Sequence, residues 1–511
     1  MSYRHTSSAS IALALAALLL APVGSKAAPD VPTFAPAIWP EPAAADSFTR
    51  PRSALRIKPV QAGQPQPLFY APSADSCSRA VRTHEEPGTQ PAQLPRRIGS
   101  AALGAHAKYR ARSADGAIAL SAPAAPVAEA AELAAVAPAP APAPAPIALI
   151  DSGVGRGKAL QLAQEPVTAG MVDDNADFTQ YLAFRDRTQV EHRPRDVRAR
   201  VLLQVRDERG QAVPDAQVVV RASSGAAMWA RTDAGGRAWI APDAFDSQAS
   251  QLYEVSVRQG QATAKAVFQR GQPSAVDVTL SAAAPAARAR LDLVFMIDAT
   301  GSMGDEIAKL KTSLRAIADE VARLPSRPDT CFGLVAYRDK TDAFVLRSHD
   351  FTSDLDAFQK VLNQLQADGG GDEQEAMNEA LFEAVHALSW RGDGATRLLV
   401  LLADAPPHLD YPGPQYDDSM MAALGKGIKV FSVGASGLNK QGEYIQRQIA
   451  QYTGGRFVFL TYAQAHNPAS GPGRETVHDV SNYSVETLDR LIVRLVSDEL
   501  AQLPQVPRGA L

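Results

Sequence analysis

From Arg290 onward, short unbroken apolar runs alternate with segments whose apolar residues recur every three or four positions. Leu291 to Ile297 is such a run, as a strand buried on both faces requires. It stops at Asp298, and Thr300 and Ser302 follow. An amphipathic helix is then predicted, with Ile307, Leu310, Leu314, Ile317, Val321 and Leu324 on one face. Further strands are expected at 333–339, 398–403, 428–433 and 456–460, with a short antiparallel edge strand at 344–347. Helices are expected at 355–365, from Met377 through Leu388, through Ile445, Ile449 and Tyr452 up to Gly454, and at 485–500. Strand and helix in alternation predict an α/β fold with a doubly wound, mostly parallel sheet.

Upstream the pattern changes. Between 196 and 281, short runs such as Val201–Val205, Ala216–Val220 and Tyr253–Val257 are separated by turns such as Thr232-Asp233-Ala234-Gly235-Gly236 and Gln259-Gly260-Gln261. Regularly spaced short strands predict a small all-β sandwich. Residues 166–195 hold a short helical segment carrying Phe178, Tyr181, Leu182 and Phe184, with a polar cap before it. Residues 28–165 show no useful period and are expected to be disordered. Within them Ser121 to Pro146 becomes an Ala-Pro repeat, which favours an extended, semi-rigid spacer.

The N-terminus reads as a targeting segment. Arg4 and His5 precede the apolar run Ile11 to Ala21, and small residues close it. Residues 1–27 are therefore predicted to be a cleaved secretory signal peptide, with a periplasmic or secreted mature protein. Such a protein would meet a membrane only through partners. An oxidising compartment raises the question of Cys77 and Cys331. Cys331 opens a buried strand and reads as a core hydrophobe, and Cys77 lies in a segment without pattern. The residues favour two free thiols over a bridge.

Placed after a buried strand, Asp298, Thr300 and Ser302 sit where open α/β sheets bind ligands. All three offer oxygen to a hard divalent cation. Asp298-x-Thr300-x-Ser302 resembles the signature that begins the metal-ion-dependent adhesion site (MIDAS) of von Willebrand factor A (VWA) domains, and the resemblance covers about 290–505. It implies a metal set of Asp298, Thr300, Ser302, Asp404 and a residue of the loop Gly369-Gly370-Gly371-Asp372. That loop normally supplies threonine. Here Gly371 stands at the matching position, and Asp372 is expected to take the threonine's place. A third carboxylate would hold the cation more tightly and weaken its pull on an acidic ligand. The resemblance implies Mg²⁺, with Mn²⁺ or Ca²⁺ as alternatives, and a protein partner presenting an acidic side chain. The sandwich wording, VRDERGQAVPDAQVVV with TDAGGRAWIAP, resembles carboxypeptidase regulatory-like or bacterial Ig-like modules, which implies a spacer or a second binding surface.

Other chemistry is weakly supported. Gly153-Val154-Gly155-Arg156-Gly157-Lys158-Ala159 has the wrong spacing for a phosphate loop and lacks the closing Ser or Thr, so no nucleotide is expected. Asp173, Asn175 and Asp177 begin like a calcium loop, but Phe178 and Phe184 stand where its glycine and glutamate belong. A net charge of -4 without a basic stripe argues against nucleic acid. No hydrolase motif occurs, and the 9 histidines are dispersed. Asp339 and His408 lie near the site loops as a solvated carboxylate and a surface imidazole. The reading is therefore a non-enzymatic adhesion or assembly module. A metal-dependent envelope hydrolase, or a structural envelope protein with a silent site, are the alternatives.

Overall fold

The computed structural model describes residues 34, 37–39, 42–43, 69–70, 77, 83–89, 166–281, 289–392 and 394–504. The expected signal peptide, the Ala-Pro repeat and the 153–159 glycine loop lie outside the described residues. The dominant element is a sheet of nine strands: β1 (Thr83–Pro87), β2 (Thr168–Val172), β3 (Arg290–Asp298), β4 (Asp329–Tyr337), β5 (Phe344–Thr352), β6 (Ala395–Ala403), β7 (Ile428–Gly434), β8 (Phe457–Thr461) and β9 (Glu486–Thr487). Their order is β9-β2-β8-β7-β6-β3-β4-β5-β1. The five central strands, β8-β7-β6-β3-β4, run parallel, and the flanking pairings are antiparallel.

Seven helices accompany the sheet: α1 (Phe178–Arg187), α2 (Gly304–Ala322), α3 (Leu355–Gln364), α4 (Met377–Phe382), α5 (Tyr416–Lys426), α6 (Lys440–Tyr452) and α7 (Leu488–Leu500). The period-two geometry of β3 explains how they divide. Leu291, Leu293, Phe295 and Ile297 share one apolar cluster with α2, α3 and α7. Val294 and Met296 face the opposite cluster, with α4, α5 and α6. The carboxylate on that second face, Asp292, is fully buried. It accepts bonds from the Arg391 backbone N at 2.7 Å and from Arg391 Nε at 2.6 Å.

Several expectations change in extent. The sheet reaches beyond 290–505, taking β2 from the segment expected to be only helical and β1 from the segment expected to be disordered. The edge strand at 344–347 is the longer β5, which pairs with β4 on one side and β1 on the other. The last helix starts at Leu488, because Glu486–Thr487 form β9 first. The helix from Met377 ends in a wider turn over Glu383–Ala387. α1 is capped as expected: Asp177 accepts the Gln180 N–H at 3.3 Å. Asp173 likewise binds the Asn175 and Ala176 N–H groups, and its other oxygen pairs with Arg456.

The expectation of two free thiols is overturned. Cys77 and Cys331 form a disulfide with their Cα atoms 5.8 Å apart. Cys77 is buried, and its carbonyl accepts the Ser353 N–H at 2.7 Å. No local pattern around Cys77 announces this, because a contact 254 positions away creates its environment.

Between β2 and β3 the chain builds two small sheets. One has four strands in the order 262–269, 252–259, 217–222, 227–231. The other has three, in the order 276–280, 201–207, 237–240. Val201, Val205, Val218, Val220, Val255 and Val257, with Tyr253 and Phe268, belong to the same apolar cluster as α5 and α6. Asp215 fastens them to the large sheet by accepting Arg231 Nη1 and Arg397 Nη1, each at 2.8 Å, and the Gly394 N–H at 2.5 Å.

Candidate metal centre

The central parallel strands create the site. From β3 the chain moves outward to β4 and then returns to the other side of β3 as β6. This is a topological switch point, and the crevice outside the carboxyl ends of β3 and β6 receives ligands in such sheets. Asp298 ends β3, and Asp404 follows β6 directly.

The loop after β3 folds on its own carboxylate. Asp298 Oδ1 accepts the Thr300 N–H at 3.0 Å and the Thr300 hydroxyl at 2.7 Å. The hydroxyls of Thr300 and Ser302 lie 3.2 Å apart. Asp298 and Thr300 are buried, Asp404 is 9% exposed, and Ser302 is open to solvent. Asp298 Oδ2 and Asp404 Oδ1 are buried without a hydrogen-bond partner. Among the described residues, neither carboxylate has a Lys or Arg partner. Their acidity reflects that isolation. Burial, reinforced by the charge of Asp404, pushes Asp298 up to about 7, against the bonds from Thr300. Burial also raises Asp404, and the Ser302 hydroxyl only partly offsets it. Two buried carboxyl groups, each with an oxygen lacking a hydrogen-bond partner, next to two hydroxyls, fit a hard cation with oxygen ligands. That donor set consists of Asp298, Thr300, Ser302 and Asp404.

Neighbouring loops are stapled around this centre. The Ala299 carbonyl accepts the Asp368 N–H and Arg338 Nε, both at 3.1 Å. The Gly369 carbonyl accepts the Gly301 N–H at 3.2 Å. Gly369 and Gly370 have positive φ, 83° and 81°. A Cβ on Gly369 would lie 2.2 Å from Asp342 Oδ1, and the Gly370 N–H binds both oxygens of Asp342. The glycines thus serve a conformation and an approach that a side chain would block.

The remaining expected ligand, Asp372, lies on the glycine loop. Asp372 is exposed and groups with Asp339 and His408, whose ligand atoms and its own lie within 4.8 Å of one another. Gly371 faces open space. Asp339 is buried, contrary to the solvated position expected, and His408 is largely covered rather than a surface imidazole. Glu375 was not singled out from the sequence. It is 3% exposed, its backbone N–H binds the Pro406 carbonyl at 3.1 Å, and its Oε2 has no partner. Burial, then the charges of Asp298, Asp339, Asp342 and Asp372, push it up to about 9.

Residues 292–408 match the family model for the von Willebrand factor A domain. The chain contains a VWA domain. Similarity to curated proteins covers a small part of each chain. Mouse von Willebrand factor A domain-containing protein 7 is 39% identical over 89 residues, which is 17% of this chain and 9% of that protein. The alpha-protein kinase vwkA of Dictyostelium discoideum is 28% identical over 144 residues, 27% of this chain and 22% of the kinase. A putative ariadne-like RING finger protein of Acanthamoeba polyphaga mimivirus is 29% identical over 123 residues, covering 24% and 12%. The chain therefore spans less than a quarter of each relative's length. Among solved structures, the pilus adhesin SpaC of Lactobacillus rhamnosus GG, in its open conformation, aligns at a TM-score of 0.25 and 14% identity, covering 41% of this chain and 29% of that one. A likeness that loose carries no argument about function.

Proposed function

We propose that the chain is a secreted, metal-dependent protein-binding module. Its VWA domain would hold a divalent cation, Mg²⁺ first, on Asp298, Thr300, Ser302 and Asp404. A partner's acidic side chain would complete the coordination from the solvent side, where Ser302 is open. The observation that carries this reading is the pair of buried carboxylates, each with an oxygen that nothing satisfies. A buried anion without a partner is costly, and a cation removes the cost. The small sheets would act as a rigid spacer or second surface of the Ig-like kind, and no catalytic role is assigned to them.

Secretion is part of the proposal. It is supported by the pattern of residues 1–27 and by a disulfide, which persists in oxidising compartments. Among the described residues no helix is long and apolar enough to cross a membrane.

The test is capture of proteins from the same compartment on the immobilised mature chain, in Mg²⁺ and in EDTA. Capture that needs Mg²⁺ and is lost in Asp298→Ala supports the module. Metal-dependent turnover of a phosphate ester, abolished by Asp298→Ala, would replace it with a hydrolase.

A further inference from the structure

Beside the oxygen-only centre the structure assembles a second donor set of different chemistry. We propose that Asp339, Asp372 and His408 form a separate cation site that takes a borderline transition metal of the Zn²⁺ or Co²⁺ kind. The inference does not depend on whether the first centre is filled.

Two of the three donors are held firmly. One oxygen of Asp339, Oδ2, accepts the Thr341 hydroxyl at 2.9 Å and the Thr341 N–H at 3.3 Å. That leaves Oδ1, which faces His408 Nε2 at 3.1 Å. The His408 ring packs against Tyr411 with centroids 4.8 Å apart, and its backbone carbonyl accepts Asn378 Nδ2 at 2.5 Å. Its other nitrogen, Nδ1, points toward Asp410 at 3.6 Å. Asp372, exposed on the glycine loop, is the third donor. Its side chain can rotate to bring all three atoms within metal-ligand reach, about 2.0–2.2 Å from one ion.

A second observation points to a missing cation. Glu375 is nearly fully buried with an unpartnered oxygen, and Asp298 as well as Asp339, Asp342 and Asp372 lie close enough for their charges to act on it, so it borders both donor sets. The local cations are committed elsewhere. Lys340 pairs with Glu379 at 2.9 Å and lies over the Tyr411 ring, and Arg338 binds the carbonyls of Ala299 and Gln366. Asp339 and Asp372 therefore share one imidazole, and among the described residues no Lys or Arg forms an ion pair with either carboxylate. The imidazole separates this set from the Asp298 centre, because nitrogen favours borderline metals where oxygen alone favours Mg²⁺ or Ca²⁺.

The experiment uses the metal-free mature chain and titrates Co²⁺ in excess Mg²⁺, reading the visible absorption of bound Co²⁺, with Zn²⁺ as competitor. One saturating equivalent is expected, displaced by Zn²⁺. His408→Gln and Asp372→Asn should each weaken it by more than the roughly 10–100-fold that losing an outer-shell partner costs. Asp298→Asn should leave it in place while removing Mg²⁺ binding, so that failure of either site is seen separately. Asp372→Asn alters only an exposed side chain, so its result stands even if His408→Gln fails to fold. Absence of Co²⁺ binding at millimolar metal, or binding that ignores His408→Gln and Asp372→Asn but disappears in Asp298→Asn, would overturn the site.

Discussion

Replacing Asp298 by Asn should stabilise the metal-free protein at pH 8 while destroying its affinity for Mg²⁺. In the folded chain this carboxyl rises from an ordinary 3.8 to about 7, because it is buried next to Asp404. A group that holds its proton more tightly when folded makes stability fall as pH rises between its two values. The contribution is present below about pH 4 and gone above about pH 7. At roughly 1.4 kcal/mol per tenfold change in acidity, the full effect is about 4 kcal/mol. Asp404 shares the burden, so a gain of about 2–4 kcal/mol is expected for Asp298→Asn at pH 8 in EDTA. Asparagine keeps an oxygen for the Thr300 bonds, so the loop need not change. Urea unfolding of wild type and variant from pH 5 to 8.5 in EDTA measures the difference directly. Glu375 adds a downward slope to both proteins, shallower in the variant because the Asp298 charge that raises Glu375 is gone, and the quantity to read is the gap between them. The gap should be less than half as large at pH 5 as at pH 8, and adding Mg²⁺ to the wild type should close it. Equal stability of the two proteins across the range would refute the claim that these carboxylates wait for a cation.

Three further outcomes follow from the same contacts. Asp215→Ala leaves Arg231 and Arg397 buried without their shared anion, and should cost roughly 3–5 kcal/mol in urea unfolding; a loss under 1 kcal/mol would mean the small sheets are not fastened there. Cys77→Ser opens a loop of 254 positions and should lower stability by about 2–5 kcal/mol, with faster amide exchange at 83–87; unchanged exchange would show that β1 holds without its tether. Asp372→Thr should leave Mg²⁺ affinity within about threefold, because Asp372 stands with Asp339 and His408; a tenfold change, about 1.4 kcal/mol, would return it to the Asp298 centre.

The site was legible where local chemistry and long-range position coincide. The run ending at Asp298 had to be a central strand because both faces are apolar, and the helix after it had one clear stripe. Together they set Thr300 and Ser302 at the crevice. β1 was not legible, since its residues Thr-His-Glu-Glu-Pro alternate only between exposed and half-buried. An edge strand needs no apolar face, and this one is held by the distant disulfide and an Arg347–Glu85 pair at 2.6 Å. β2 is five residues, Thr168–Val172, too short to show a period. Glu375 was hidden for another reason. It is one of three acids in Asp372-Glu373-Gln374-Glu375, and only the packing of the loop at Pro406 decides which of them is buried. His408 and Asp339 looked solvent-facing in sequence because each meets its partner across 69 positions.

The most direct measurement is calorimetric titration of Mg²⁺ into the whole mature chain, which includes β1 and β2, with Asp298→Ala as control. The expected result is one saturable site in the wild type and none in the variant. Equal heats from both proteins, or no binding by the wild type at millimolar Mg²⁺, would contradict a metal centre built on Asp298 and Asp404.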